Sequence, residues 1–327
     1  MQKVLIAPMT LATQEGPYQK MLRDAGFELV YPSRPAQLTE DELLRAIQGV
    51  KGALAGSEPY TRRIIESNRD LRVIARAGVG YDAVDLAAAN DCGVAVTITP
   101  GTNHDCVAEH TFGLILALAK DLITQHLTVK AGQWPRRPNL PLRGRNLGIA
   151  GLGRIGRAVA IRGASFEMRL LAHEPYPDQA FLTQYKITLL PFDRLLAESD
   201  YLSLHLPLTP DSRHLINERT LGLMKPTAFL INTARGGLVN ENDLMHALKA
   251  KRIAGAALDV FEQEPPLADH PFFLLDNVIF TPHAAGTDLQ SRDDMAISAA
   301  QAIISLSRGE WPAEKIVNPE VRKKFRW

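Results

Sequence analysis

The sequence predicts an α/β protein of two doubly wound parallel-sheet domains, on three observations. Short apolar runs alternate with helical patterns, the alternation stops once and restarts, and the chain is 327 residues long. At roughly 150 residues per domain that length makes two compact units. Continuous apolar runs between helices are what strands need when a parallel sheet is covered on both faces.

The first series reads KVLIAP, PYQKMLRDAG, FELVYP, TEDELLRAI, GALAGS, TRRIIESN, LRVIARAG, AVDLAAAND and VAVTIT, strand and helix in turn over residues 1–99. A break follows at Thr99-Pro100-Gly101-Thr102-Asn103, and one long helix is expected from about His104 to Lys130. Its middle, VAEHTFGLILALAKDL, is apolar around most of its circumference, more than a one-sided surface helix needs. A buried core helix and a subunit interface both satisfy that pattern. After the Gly-, Pro- and Arg-rich AGQWPRRPNLPLRGRN, alternation restarts at Leu147 with LGIAG, RIGRAVAIRGA, MRLLAHE, YLSLHLP, AFLINTA, ENDLMHALKAK, GAALDVF and NVIFTPH. A last helical stretch, about Asp288 to Arg308, most simply returns to cap the first unit.

Bulk composition narrows the partners. Lys and Arg number 37 against 36 Asp and Glu, so no general positive field exists to hold nucleic acid or an anionic membrane. The longest apolar stretch, Phe112 to Ala119, falls far short of the roughly 20 residues that span a bilayer. MQKVLIAPMT has too short an apolar run for a signal peptide and already reads as a strand. Two cysteines, Cys92 and Cys106, suggest no disulfide framework and no metal cluster, and reduced thiols in the cytoplasm are expected.

Gly151-Leu-Gly153-Arg154-Ile155-Gly156 follows the strand LGIA and opens a helix, the context a dinucleotide fingerprint requires. The first glycine makes the turn, the second lets backbone approach a pyrophosphate, and the third packs helix on strand, with phosphate charge at the helix N-terminus. The next strand ends at Glu174, 18 residues past Gly156, where a carboxylate accepts hydrogen bonds from a ribose and repels a 2′-phosphate. NAD is therefore the expected cofactor. Gly78-Val79-Gly80-Tyr81-Asp82-Ala83 fits the looser pattern, but its next strand ends in Ile98-Thr99-Pro100 without a carboxylate. Amides at a helix start there would suit a small anion such as a carboxylate. A structural turn fits the same spacing.

Arg235, Glu264 and His283 each follow a strand of the second unit. In an open parallel sheet those strand ends line the crevice where ligands bind. Arg235 is a planar cation able to grip a carboxylate through two oxygens. His283 can give or take a proton near neutral pH, and a carboxylate such as Glu264 beside it favours the imidazolium.

Over essentially its whole length the sequence resembles the D-2-hydroxyacid dehydrogenase family. The matching runs are Arg76 to Asp82, Val107-Ala-Glu109-His-Thr111, Gly151 to Gly156, Asn232-Thr-Ala-Arg235-Gly-Gly237, Asp259-Val-Phe-Glu-Gln-Glu264-Pro265 and Thr281-Pro-His283-Ala-Ala-Gly286. The resemblance implies a catalytic trio of Arg235, Glu264 and His283, and a substrate-carboxylate loop at Val79 and Gly80. It implies that Asp259 contacts the nicotinamide carboxamide and that Leu206, Pro207, Thr233, Ala234 and Gly286 line the cofactor site. Further implied are a flavodoxin-like substrate domain of residues 1–99 plus 285–327, a Rossmann NAD-binding domain of residues 100–284, and a homodimer built on the helix after Asn103.

The phosphoglycerate dehydrogenases are the members it resembles most, in GALAGSEPYT and RAGVGYD. Where they often carry an arginine this chain has Gly56, leaving Arg62, Arg63, Arg136 and Arg137 as substitutes for binding phosphate. Glyoxylate or hydroxypyruvate reduction is the alternative substrate class. A non-catalytic NAD(H)-sensing protein like the corepressors of this fold is the alternative of another kind. Formate dehydrogenases are more remote, carrying Gln where this chain has Glu264. From Glu174, NADH should exceed NADPH in kcat/KM and Glu174→Ser should narrow the gap; equal values for the two cofactors would contradict the assignment.

Overall fold

The structure, a computed structural model, describes residues 1–11, 15–34 and 36–327. Two compact units divide it, Met1–Asn103 with Thr287–Trp327, and His104–Gly286. The first contains β1 (Gln2–Ile6), α1 (Pro17–Asp24), β2 (Phe27–Val30), α2 (Glu40–Ala46), β3 (Gly52–Ala55), α3 (Arg62–Ser67), β4 (Val73–Arg76), α4 (Leu86–Cys92) and β5 (Ala95–Thr97). Its strands are all parallel, in the order β2-β1-β3-β4-β5.

The second unit opens with α5 (His104–Ala119) and α6 (Leu122–Lys130). Then follow β6 (Asn146–Ala150), α7 (Arg154–Ser165), β7 (Arg169–His173), α8 (Gln179–Tyr185), β8 (Thr188–Leu189), α9 (Phe192–Glu198) and β9 (Tyr201–Leu204). The unit closes with α10 (Glu218–Leu221), β10 (Phe229–Asn232), α11 (Glu241–Lys249), β11 (Gly255–Leu258) and β12 (Val278–Phe280). Its seven parallel strands run β12-β11-β10-β9-β6-β7-β8. Every residue of β3, β4, β9, β10 and β11 is buried, the reason those segments read as unbroken apolar runs.

Register positions the chemistry. His173 pairs with Ala150, Ala150 with Leu204, Leu204 with Asn232, Asn232 with Leu258, and Leu258 with Phe280. Six strands therefore end in one row. The loops that begin at Gly151, Glu174, His205, Thr233, Asp259 and Thr281 leave the sheet side by side.

The C-terminal helix α12 (Leu289–Ser307) packs on the first sheet. Its Ala296, Ala299, Ala300 and Ile303 are fully buried with Val4, Ile6, Leu54 and Val73. Alanines let the helix axis approach the strands closely. No described helix is long and apolar enough to cross a membrane.

The single helix expected over His104–Lys130 is two helices. Asp121 adopts a left-handed conformation, φ 50°, which an α-helix cannot continue through and which Asp tolerates better than most residues. Helix α5 ends at Ala119, and Lys120 Nζ donates to Leu140 O at 2.6 Å across the break. Eight of its residues are buried, whereas α6 buries none. Leu122, Ile123, Leu127 and Val129 of α6 and Trp134 beyond it all lie exposed.

One group couples this fold to pH. His205 follows β9 with its Nε2 2.8 Å from Ser203 Oγ, and burial pushes the imidazole down to about 3. In an unfolded chain a histidine titrates near 6.5, so the unfolded state binds more protons between those two values. Stability should fall as pH drops from about 6.5 toward 3, by roughly 3 kcal/mol from this residue at about pH 4.5. Urea unfolding of His205→Gln across that range should show a shallower slope than the parent; identical slopes would remove His205 as the cause.

Candidate active site

The three fingerprint glycines have three different reasons to be glycine. Gly151 has φ +96°, and a Cβ on it would lie 2.6 Å from His205 O. A Cβ on Gly156 would lie 1.9 Å from Gly151 O, so only glycine lets α7 start this close to β6. Around Gly153, which caps α7, a Cβ would meet nothing within 4 Å. That open backbone at the N-terminus of a twelve-residue helix is the cradle a pyrophosphate needs, with Arg154 and Ile155 forming the first turn. Leu152 N donates to Glu174 Oε2 at 2.8 Å and Tyr176 N to Oε1 at 2.9 Å. Each oxygen keeps a lone pair for a ribose hydroxyl. These residues fit an NAD adenosine diphosphate.

The second glycine loop is built differently. Helix α4 begins only at Leu86, capped by Asp85, whose side chain accepts from Ala88 N at 2.8 Å. The expectation of a helix start at Val79 and Gly80 is thus corrected: several loop residues intervene before α4, and no helix N-terminus points from Gly78–Gly80. All three loop residues are half-buried.

Arg235 follows β10 through a turn that Asn232 makes from both ends of its amide. Asn232 Oδ1 accepts from Ala234 N at 3.0 Å and Nδ2 donates to Arg235 O at 2.9 Å. Thr233 is buried and Arg235 half-buried, with a guanidinium nitrogen 2.6 Å from Ala234 O. A Cβ on Gly236 would fall 1.9 Å from Phe261 C, so the Arg235 turn lies directly on the backbone of the loop that carries Glu264. That loop is stapled further: Glu262 N donates to Glu241 Oε1 at 2.8 Å, His270 Nε2 is 3.2 Å from Glu241 Oε2, and His214 Nε2 is 2.9 Å from Glu262 Oε1.

Glu264 Oε2 stands 2.6 Å from His283 Nδ1, and its Oε1 accepts from Phe261 N at 3.0 Å. The carboxylate holds the imidazole by Nδ1, and no hydrogen bond to Nε2 is formed among the described residues. His283 has φ 52°, and its N–H donates to Asp259 O at 2.8 Å. Asp259, 1% exposed, accepts from Thr281 Oγ1 at 2.6 Å, Ala284 N at 2.8 Å and Ala285 N at 2.9 Å. The turn carrying His283 is wrapped around this one side chain.

Sequence reasoning gave no role to the polar face of α5. His110 Nε2 lies 3.0 Å from Thr281 Oγ1 and 3.7 Å from Asp259 Oδ1. Thr111 Oγ1 is 3.1 Å from Thr233 Oγ1, and Cys106 Sγ is 3.1 Å from Ala285 O. The available signal was Cys106 and His110 four apart in an apolar helix, hence on one face. Of the predicted cofactor residues, Leu206 reaches 3.1 Å from where a Gly151 Cβ would be, and Pro207 O accepts from Ser212 Oγ at 2.7 Å. Ala234 is held by Asn232, and Gly286 ends the unit.

The model of the D-isomer specific 2-hydroxyacid dehydrogenase NAD binding domain matches residues 112–285. A glyoxylate reductase of Thermofilum pendens is 39% identical over 317 residues, 94% of this chain and 93% of its own. The chain belongs to the D-isomer-specific 2-hydroxyacid dehydrogenase family. It is accordingly an NAD-dependent oxidoreductase acting on CH–OH groups. A D-3-phosphoglycerate dehydrogenase of Methanocaldococcus jannaschii is also 39% identical, over 86% of this chain but only 54% of that protein. Among solved structures, the TT0316 protein from Thermus thermophilus superimposes with a TM-score of 0.87 at 34% identity, covering 97% of this chain and 100% of the other.

For a dehydrogenase of this family the arginines expected to substitute at Gly56 are decisive. Arg62 pairs with Glu66 at 2.9 Å and Asp91 at 3.1 Å, and Arg63 with Asp41 at 2.8 Å and Glu40 at 3.3 Å. Both are spent on neighbouring carboxylates of the first unit. At the other end of the reaction, Glu264→Gln removes the charge beside His283 while nearly keeping shape. The pH profile of kcat/KM for 2-oxo acid reduction should then lose its high-pH arm at lower pH, whereas His283→Ala should cost about 10² to 10⁴ in rate at every pH. An unshifted Glu264→Gln profile would detach the pair from proton transfer.

Proposed function

We propose that this dehydrogenase reduces a small, unphosphorylated 2-oxo acid to the D-2-hydroxy acid, glyoxylate and hydroxypyruvate being the substrate class. The 2.6 Å contact of Glu264 with His283, in the row of strand ends that also holds Arg235 and the Gly151–Gly156 loop, carries the reading. NADH supplies the hydride when bound. Arg235 holds the carboxylate and carbonyl oxygens of the substrate in a two-pronged grip, fixing the carbonyl carbon's orientation. His283 Nε2 gives its proton to the oxygen as it becomes an alkoxide, and Glu264 orients the ring through its 2.6 Å contact with Nδ1. Asp259 holds the His283 turn; Oδ2, with one donor, keeps acceptor capacity for a carboxamide. Val79 and Gly80 offer backbone amides to the substrate carboxylate.

The absence of phosphate from the proposed substrate rests on Arg62 and Arg63 being engaged, and on relatives such as the Thermofilum pendens glyoxylate reductase that match over nearly all of both chains. The phosphoglycerate dehydrogenase reading keeps Arg136 and Arg137, both exposed. A homodimer fits the exposed apolar residues of α6 and Trp134, which a second copy would cover. Cys92 and Cys106, neither of them in a disulfide, accord with a cytoplasmic location.

NADH consumption with glyoxylate, hydroxypyruvate, pyruvate and phosphohydroxypyruvate tests the assignment: kcat/KM should be highest for glyoxylate or hydroxypyruvate, and a preference for the phosphorylated acid would reverse it. No turnover with any 2-oxo acid would leave the NAD(H)-sensing reading instead. Arg235→Lys keeps charge and loses the fork, so kcat/KM should drop at least about tenfold, roughly 1.4 kcal/mol; activity within twofold of the parent would place the anchor elsewhere.

A further inference from the structure

Outside the Arg235–Glu264–His283 group, a set of hydrogen bonds surrounds the Gly78–Gly80 loop of the first unit. Gly78 N donates to Thr99 Oγ1 at 2.9 Å, and Thr99 N donates back to Gly78 O at 3.0 Å. Gly78 has φ +146°, a conformation that needs glycine and turns the next peptide away from β4. Just before the loop, Arg76 Nε donates to Gly80 O at 2.8 Å from a side chain 8% exposed. The far end of the loop is tied by Tyr60 N to Ala83 O at 2.8 Å and Asp85 N to Tyr60 O at 2.9 Å. Three anchors thus fix a loop with no helix behind it.

The amides left over are the informative ones. Neither Val79 N nor Gly80 N meets an acceptor among the described residues, although both residues are half-buried. Adjacent backbone donors held in one direction form an anion-binding concavity, whose strength depends on aim rather than on charge. Within the electrostatic reach of Arg76, Glu58, 2% exposed, accepts from Gly56 N at 2.6 Å; burial pushes its carboxyl above the usual carboxylate range and the charge of Arg76 opposes that. The Val79 and Gly80 amides are the donors this part of the loop can offer an anion.

We infer that Thr99 and Arg76 are positioning residues that aim the Val79 and Gly80 amides at the substrate carboxylate, so that substrate affinity, and not the chemical step, depends on them. This rests on the proposed role of Val79 and Gly80 in holding that carboxylate. Thr99 clamps the loop before the donors and Arg76 clamps it after them. Removing either clamp frees one side of the Val79 peptide without touching the second unit, where cofactor and proton donor lie.

Thr99→Val is nearly isosteric and deletes the hydroxyl acceptor of Gly78 N, along with a 3.3 Å contact from Thr102 Oγ1, which keeps its 2.8 Å bond to Thr99 O. KM for the 2-oxo acid should rise about tenfold with kcat within twofold and the NADH dissociation constant unchanged, while Thr99→Ser, which restores the acceptor, should return KM to within twofold of the parent. Thr97 supplies the matched control, fully buried two residues away with a hydroxyl that has no partner among the described residues. Thr97→Val should leave KM at the parental value. Arg76→Lys keeps charge beside Glu58 and loses the Nε donor, and should raise KM in the same way. Val79→Pro deletes a proposed donor outright and tests the underlying reading. If Val79→Pro raises KM but Thr99→Val and Arg76→Lys do not, the loop binds substrate and the positioning inference falls. If Val79→Pro leaves KM alone, the carboxylate site itself falls and the inference with it. A Thr99→Val enzyme that loses kcat, KM and NADH affinity together would show general disruption and equally overturn it.

Discussion

A carboxylate taken out of water must be hydrogen-bonded or its burial is costly, and Asp259 meets that demand by gathering a turn around itself. Three donors from Thr281, Ala284 and Ala285 converge on its two oxygens, and the His283 amide binds its carbonyl. The left-handed φ of His283 follows from this wrapping, because the turn must reverse to bring both alanine amides back to one side chain. That reversal sets Nδ1 against Glu264. Helix α5 braces the far side through His110 on Thr281 and Cys106 on Ala285. Loss of the Asp259 charge would leave several donors unpaired at once and loosen the turn that carries His283.

What the sequence made legible was short in range. Strand and helix alternation, the glycine spacing and the placing of Arg235, Glu264 and His283 after strands each depend on neighbours along the chain, and parallel register then aligned those strand ends in one row. Long-range pairings carried no such signal. His110 meets a threonine 171 positions away, and Glu241 locks onto Glu262 across 21 positions. The break at Asp121 was hidden for another reason: VAEHTFGLILALAKDLITQHLTVK stays apolar and helix-favouring throughout, and one residue in a left-handed conformation ends α5 without a glycine or proline to mark it. Nor does spacing reveal where α4 begins, because Asp85 rather than the glycine loop supplies its cap.

Charge is used locally in this chain, in keeping with a near-zero net balance. Arg62 and Arg63 point to Glu66, Asp91, Asp41 and Glu40, Arg162 ties α7 to Asp105 and Glu109 of α5, and Lys225 is 2.8 Å from Asp200. Exposed pairs of this kind add little stability each. Their consequence is for recognition, since a guanidinium already matched to a carboxylate must give up that partner before it can bind a phosphate. Gly56 brings no charge of its own, and a Cβ there would lie 2.8 Å from Glu58 Oε1, so a larger residue would require the buried acid to shift.

The two glycine loops show how one spacing acquires two chemistries. After β6 the third glycine lies inside α7 against Gly151, so the helix starts at the loop and its first-turn amides and dipole all face the space over Gly153, where a doubly charged pyrophosphate gains from every one of them. After β4 the chain runs on to Asp85 before turning helical, so the dipole is aimed elsewhere and the Gly78 loop offers peptide amides, those of Val79 and Gly80 among them, without a helix behind them. Amides without that dipole suit the single charge of a carboxylate better than a pyrophosphate. Their direction must then be fixed from outside the loop, by Thr99 and Arg76, because no helix behind them does it. The pattern of glycines says that backbone will be exposed after a strand; where the next helix begins decides how much anion that backbone can hold.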